Sequence, residues 1–300
     1  MKVLLLGGTG VMGNYLVELL NEDHIDTTVT SRRTHKNFGS IRYVVGNAKD
    51  DNFLKSITDN QKWNVIVDFM SYETNEFIRR VDILCSSTDQ YFFMSTARVY
   101  GNEEYPIKES SPKLLDSSKD EEFLATNEYA LTKAKQENYL RNSKWKNYTI
   151  IRPCITYGDE RLQLGVLEKE EWLYRALHGR TIIFDEKIAP RITTMTNGLD
   201  VAKTIYSLIG NAKAYGISIH ITCNYHRTWN QIWDIYRSAF KEIIGKDPRI
   251  SFVSTEQFLK TRSPNLKYQV IYDRHYDKDT ILRLKSISWI LLILLHQKRA

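Results

Sequence analysis

Residues 2 to 13 read Lys2-Val3-Leu4-Leu5-Leu6-Gly7-Gly8-Thr9-Gly10-Val11-Met12-Gly13. The apolar run Val3 to Leu6 is too short for a helix of its own and suits a strand buried on both faces of a parallel sheet. Gly7, Gly10 and Gly13 follow, and Val11, Tyr15, Leu16, Leu19 and Leu20 then recur at helical spacing. Strand, glycine turn and helix in this order fit a dinucleotide. Glycine lets the backbone approach a pyrophosphate, and a helix N-terminus offers free amide donors and a partial positive charge. Gly7, Thr9, Gly10, Val11, Met12 and Gly13 are therefore the candidate cofactor-binding residues. Their spacing is GxxGxxG rather than GxGxxG. Such glycines also serve as plain tight connections, so the rest of the chain has to decide.

Working outward, Thr27 to Ser31 reads as a second strand that ends in Arg32 and Arg33. An acid at this point would bind the 2′-hydroxyl of an adenosine ribose, whereas arginine tolerates a 2′-phosphate. No acid stands there. NADP is thus favoured over NAD, with Ser31, Arg32 and Arg33 as phosphate partners; two solvated surface arginines are the plain alternative. Ile41 to Val45, Val65 to Phe69, Tyr91 to Met94 and Tyr148 to Arg152 read as further strands, separated by helical runs through Ile57 and around Phe77, Ile78, Val81 and Leu84. This rhythm implies right-handed crossovers and a doubly wound parallel sheet, with a ligand crevice at the carboxyl ends of the first and fourth strands. Beyond the sixth strand the rhythm changes. Gly165 to His178, Asp200 to Leu208 and Thr228 to Ile244 read as helices, and Thr181 to Phe184 and Ile217 to Ile221 as strands.

Three hundred residues, 42% of them hydrophobic and 12% aromatic, suffice for one large α/β domain with a smaller lobe. The 42 basic and 36 acidic residues leave a net charge of +6, spread along the chain. Mild basicity fits a phosphate-bearing ligand and would also fit a nucleic-acid surface. Cys85, Cys154 and Cys223 form no CxxC pair, which points to reduced cytoplasmic thiols rather than a disulfide framework or a zinc site. The N-terminus begins a core strand at once and lacks the pattern of a signal peptide. Ile287 to Leu295 is strongly apolar, but nine residues fall short of the roughly 20 that span a bilayer. That tail reads as a terminal element packed on the core or on a second subunit, or as a segment foreign to the fold.

The fifth strand delivers Ser95-Thr96-Ala97-Arg98-Val99-Tyr100-Gly101 to the mouth of the crevice, followed by a polar loop, Pro106 to Asp120, long enough to cover a site. Tyr129-Ala130-Leu131-Thr132-Lys133 then opens a helix. Spaced by four, Tyr129 and Lys133 share one helical face. Free tyrosine ionises near pH 10, roughly, and a cation within about 4 to 6 Å favours its phenolate. Lys133 is the expected cation, and the pair would then move a proton to or from an alcohol. A tyrosine and a lysine at this spacing can also coincide by chance in a chain with 18 tyrosines.

Together these residues resemble the extended short-chain dehydrogenase/reductase family of nucleotide-sugar epimerases, dehydratases and reductases. The glycine turn, Ser95 to Gly101, Tyr129 with Lys133, Arg152-Pro153 followed by Tyr157-Gly158, and Asp200-Val201-Ala202 occur in the family's order over roughly residues 1 to 285. The resemblance implies an α/β fold: a Rossmann-type doubly wound parallel sheet, residues 1–163, carrying the catalytic residues. A smaller C-terminal α+β substrate lobe, residues 164–300, would return some segments to that sheet. It implies NADP or NAD as cofactor, Thr96 as the hydroxyl that orients substrate, Tyr129 as acid/base, and Lys133 as the group that lowers the tyrosine's pKa and holds the nicotinamide ribose. Asn47 matches a position near the adenine.

The implied reaction is hydride transfer at a carbon of a nucleotide-diphosphate sugar, C4 first. In the family's 4,6-dehydratases an Asp-Glu pair follows the active-site threonine; here Ala97 and Arg98 follow it, which disfavours dehydration and leaves epimerase and ketosugar reductase open. Arg191 and Arg274 are the candidate diphosphate partners, with surface salt bridges as the alternative. Trp172, Trp229 and Trp233 suit a core better than a base-stacking site. The resemblance favours a homodimer. A second reading is an atypical, non-catalytic member that binds RNA or senses NADP(H), because Val65 to Gly101 and Glu170 to Asp200 also resemble an RNA-binding chloroplast branch. That branch tends to lose the active tyrosine, which is present here. From about Ser286 the sequence departs from the family.

Overall fold

The computed structural model describes residues 1–59, 61–223, 225–260, 262, 266, 268 and 272–277. The apolar tail from residue 287 lies outside the described residues. Among the described residues no helix is long and apolar enough to cross a membrane.

The N-terminal half alternates strand and helix: β1 (Lys2–Leu6), α1 (Val11–Glu22), β2 (Asp26–Ser31), β3 (Ile41–Val45), α2 (Asp51–Thr58), β4 (Trp63–Asp68), α3 (Thr74–Ser86) and β5 (Thr88–Met94). Two short helices, α4 (Leu114–Ser117) and α5 (Glu121–Leu124), lead to α6 (Tyr129–Asn142), β6 (Tyr148–Pro153) and β7 (Ile155–Tyr157). The rest comprises α7 (Lys169–Leu177), β8 (Ile182–Asp185), β9 (Ile192–Thr193), β10 (Met195–Asn197), α8 (Gly198–Leu208), β11 (Ile217–Ile221), β12 (Arg227–Thr228), α9 (Trp229–Ile244), β13 (Ile250–Val253) and α10 (Thr255–Leu259).

Seven strands form one parallel sheet in the order β11-β6-β5-β4-β1-β2-β3. The alternation of a strand's side chains explains its two-sided burial. Val3 and Leu5 point into one layer with Leu16, Val17 and Leu20 of α1 and Val201 and Ile205 of α8. Leu4 and Leu6 point into the other, with Phe77, Val81 and Leu84 of α3. Each such side chain is worth about 1.5–3 kcal/mol relative to exposure, so the uninterrupted apolar strand is what a sheet covered on both faces requires. Strand order reverses between β1 and β4, and there the crevice opens.

β11 joins the sheet beside β6, Ile219 facing Ile151, although it lies far along the chain. A separate core gathers Trp172, Trp229, Trp233, Phe184 and Phe258, so the tryptophans pack as core side chains. The helix expected from Gly165 begins only at Lys169. Gly165 adopts φ +60°, and Leu164 and Leu167 exchange backbone hydrogen bonds in a tight turn that a helix cannot contain. The loop after Pro106 is likewise less open than its polarity suggests, because Ile107 and Leu114 are buried beneath it.

Candidate active site

The turn after β1 is built for close approach. Gly7 has φ +68°, and a Cβ there would sit 2.5 Å from Met70 Sδ. At Gly13 a Cβ would lie 2.4 Å from the Gly8 carbonyl oxygen, so α1 packs directly on the turn. Gly10 is the N-cap of α1; no side chain caps this helix and its first turn carries no acid. The positive end of α1 therefore meets a cleft of about 470 Å³ lined by Gly7, Gly10, Val11, Met12 and Gly13, with Phe69 and Arg161 among its walls. Thr9 lies within the turn, partly buried. This arrangement fits a dinucleotide pyrophosphate.

Ser31 ends β2 buried; its Oγ shares a 3.0 Å hydrogen bond with His35 Nε2 and accepts the Arg33 amide at 3.1 Å. Arg32 and Arg33 are exposed beside it. Asn47, after β3, is exposed, and its Oδ1 accepts the Lys49 amide at 3.1 Å. The Gly46 amide donates to the Ser31 carbonyl at 2.8 Å, so these candidates meet at one end of neighbouring strands.

Adjoining the glycine cleft is a cavity of about 460 Å³ whose walls include Thr96, Arg98, Tyr129, Lys133, Arg161 and Arg274. Met12, Phe69, Arg161 and Glu168 line both spaces. Thr96 is buried, and its Oγ1 accepts the Arg98 amide at 3.2 Å, capping the single turn Ala97–Val99. Lys133 is 1% exposed. Its Nζ donates to the Met94 carbonyl at 2.8 Å and the Met70 carbonyl at 3.4 Å, and sits 4.6 Å from the Phe93 ring centroid. Burial pushes this ammonium down to about 8, against the raising influence of Asp68 and Glu137. Asp68, at the end of β4, accepts from Tyr91 Oη at 2.8 Å, Tyr72 Oη at 3.3 Å and the Met70 amide at 3.0 Å. Burial drives its carboxyl up to about 6 although these donors and Lys133 oppose it.

Tyr129 opens α6 with 39% of its surface still open, yet its phenol is crowded by protein and burial raises its pKa. The cations that oppose the rise are Arg98, whose guanidinium carbon is 5.3 Å from the ring centroid, and then Arg161. The lysine shares the cavity, but its ammonium is turned to the Met94 and Met70 carbonyls, and a guanidinium lies against the ring. Arg98 drew notice in the sequence only as the absence of a carboxylate, although its place two residues after Thr96 was a usable signal. Arg161, from an irregular loop, carried none.

The two expected diphosphate partners separate. Arg274 lines the cavity, its Nη1 donating to the Tyr100 and Gly101 carbonyls at 3.0 and 3.1 Å. Arg191 pairs with Asp273 at 3.6 Å and is outside the described lining of that cavity.

Sheet topology and glycine turn place the chain among the extended short-chain dehydrogenases/reductases. More narrowly, it belongs to the NAD dependent epimerase/dehydratase family, whose model matches residues 3–188. Among solved structures, epimerase Mth375 of Methanothermobacter thermautotrophicus superposes with a TM-score of 0.73, at 14% identity over 94% of this chain and 85% of its own. UDP-glucose 4-epimerase of Bifidobacterium longum, in complex with NAD+ and UDP, gives 0.69 at 15% identity over 94% and 92%. The human epimerase family protein SDR39U1 with NADPH gives 0.66 at 12% identity over 95% and 94%. At such identities the likeness is one of fold. Among curated proteins none matches this chain.

Proposed function

We propose that the protein is an NAD(P)-dependent epimerase or ketosugar reductase acting on a nucleotide-diphosphate sugar, with hydride transfer at a sugar carbon, C4 first. The observation that carries this reading is the lining of one cavity by Thr96, Tyr129 and Lys133 where it adjoins the glycine-turn cleft. A bound nicotinamide supplies the acceptance and return of hydride. Tyr129 as phenolate takes the hydroxyl proton when the alcohol is oxidised to a ketone, and as phenol returns it on reduction. Thr96 orients that hydroxyl. Lys133 would hold the cofactor ribose and lend it positive charge, and Arg274 would hold the diphosphate. Oxidation followed by re-reduction on the opposite face yields an epimer; the reductive half alone is a ketosugar reduction. Elimination of water is disfavoured because Ala97 and Arg98 stand where it would need an acid and a base.

Ser31, Arg32 and Arg33 favour NADP, since no carboxylate closes β2 to a 2′-phosphate. NAD+ and UDP in the Bifidobacterium longum enzyme support the cofactor and substrate classes. The free thiols of Cys85, Cys154 and Cys223 favour a reducing compartment such as the cytoplasm, and the family favours a homodimer. The test is a fluorescence titration with NADPH and NADH, followed by incubation with UDP-, dTDP- and GDP-sugars scored by mass and by NMR of the sugar. Tyr129→Phe is expected to abolish turnover and spare cofactor affinity. Salt-dependent binding of single-stranded RNA with no cofactor binding would replace this reading with a non-catalytic one.

A further inference from the structure

Tyr129 has a guanidinium against its ring in addition to the lysine one helical turn on in the same cavity. Lys133 is wholly enclosed and gives two of its three donors to the Met94 and Met70 carbonyls. Arg98 instead reaches over the Tyr129 ring from the single turn that follows Thr96. Its far side is anchored: Nη2 pairs with Glu128 Oε1, while Glu128 Oε2 accepts the Ala130 amide at 2.6 Å as the N-cap of α6. The helix that presents the phenol thus also clamps the guanidinium lying against it. Arg161 is a weaker candidate, because it is 40% exposed and paired with Glu168 at 2.9 Å, so solvent and counter-ion both screen it.

We propose that Arg98 is the positioning residue for Tyr129: clamped by Glu128, its guanidinium stabilises the phenolate and sets the pH at which the tyrosine can exchange a proton. The inference rests on Tyr129 being the acid/base proposed above. The charged groups around this phenol are Arg98, Glu128 of its own helix cap, Lys133 one turn on, Arg161 and Glu168 from the loop before α7, and Arg274 from the C-terminal segment. Of these, Arg98 and Glu128 act on it with opposite sign, the first lowering and the second raising.

The full-length protein is labelled with 3-fluorotyrosine, and the Tyr129 resonance, assigned by its loss in Tyr129→Phe, is titrated by fluorine NMR with and without NADP+. Arg98→Gln is expected to move the Tyr129 titration up by about one pH unit or more, the scale of an opposite charge within about 4–6 Å. Arg98→Lys is expected to recover most of that shift. Glu128→Gln, which keeps one oxygen to cap α6 but none to spare for the guanidinium, is expected to move it up by less than Arg98→Gln does, the lost charge partly offsetting the lost clamp. In the pH profile of turnover the limb assigned to Tyr129 is expected to follow in the same directions. An unmoved titration in Arg98→Gln, or a downward shift in Glu128→Gln, would overturn the proposal. Failure of the enzymatic reading shows separately, as undiminished turnover in Tyr129→Phe.

Discussion

Arg152 holds Glu137 through two parallel hydrogen bonds, Nε to Oε1 at 2.8 Å and Nη2 to Oε2 at 2.6 Å, with both side chains at most 1% exposed. The same carboxylate accepts Ser95 Oγ at 2.6 Å, and Arg152 Nη1 donates to Tyr100 Oη at 2.7 Å. One buried pair therefore ties α6, which carries Tyr129, to β6 and to the segment that carries Thr96.

Removing Glu137 takes the carboxylate from a buried guanidinium, while removing Arg152 leaves Glu137 only the longer pairs with Lys113 and Arg141, both at 3.4 Å. Glu137→Ala or Arg152→Ala is expected to lower stability by about 3–5 kcal/mol, read by urea unfolding, whereas replacing both by apolar residues of similar size should cost far less. Burial pushes the Glu137 carboxyl up, but its bonds to Arg152 and the charges of Arg152 and Lys113 prevail, and its net direction is down from 4.5. A carboxyl depressed in the fold contributes stability that is complete above the unfolded value and fades as pH falls through the folded one. Unfolding midpoints should thus decline below about pH 4.5 in wild type, and less steeply in a variant lacking both charges.

Lys133 should make cofactor affinity pH-dependent near neutrality. With its value pushed down to about 8, the side chain is charged below that pH and neutral above it. NADPH affinity by fluorescence is expected to fall as pH rises through about 8. Asp68→Asn removes the buried carboxylate that most sustains the charge, and should move the fall to lower pH. The fold responds in the other sense: unfolded Lys133 keeps its proton to about 10.5, so the burden of this group on stability lightens as pH rises from about 8 toward that value.

The glycine turn separates packing from ligand contact. A Cβ at Gly13 would fall 2.4 Å from a backbone oxygen, and Gly13→Ala is expected to lower stability by about 1–3 kcal/mol through overpacking. At Gly10 nothing lies within 4 Å of the added carbon and φ is −93°, so Gly10→Ala should keep the wild-type thermal midpoint. A weaker NADPH affinity in that variant would then report crowding of the ligand alone; unchanged affinity would show that the pyrophosphate does not approach Gly10.

Arg191 and Arg274 should differ sharply. Arg274→Ala is expected to weaken UDP binding by about tenfold or more, the scale of a hydrogen bond to a charged group of about 1.5–3 kcal/mol. Arg191→Ala gives up a half-exposed pair with Asp273 and should leave UDP affinity unchanged and stability within about 1 kcal/mol. Calorimetric titration distinguishes the two, and equal losses in both would move Arg191 into the substrate site.

Much of the architecture is legible in one dimension. Val3 to Leu6 must be covered on both faces because every residue in the run is apolar, and Leu16 and Leu20 repeat at the interval that turns one helical face inward. The site is legible where its residues are neighbours along one element, as Tyr129 and Lys133 are along α6, or stand at a strand's end, as Thr96 does after β5. α7 starts at Lys169 rather than Gly165 because hydrophobic spacing does not register a left-handed glycine at Gly165.

Sequence alone thus determined the doubly wound sheet and the glycine turn at its switch point, since each follows from spacing within a few residues. Only the tertiary structure decided which cation meets the phenol, which arginine faces the cavity, and how Glu137 is matched. Those choices depend on distances between segments remote along the chain. Coulomb attraction and desolvation act through space, so an arginine on the turn after β5 can reach Tyr129 from outside its own helix.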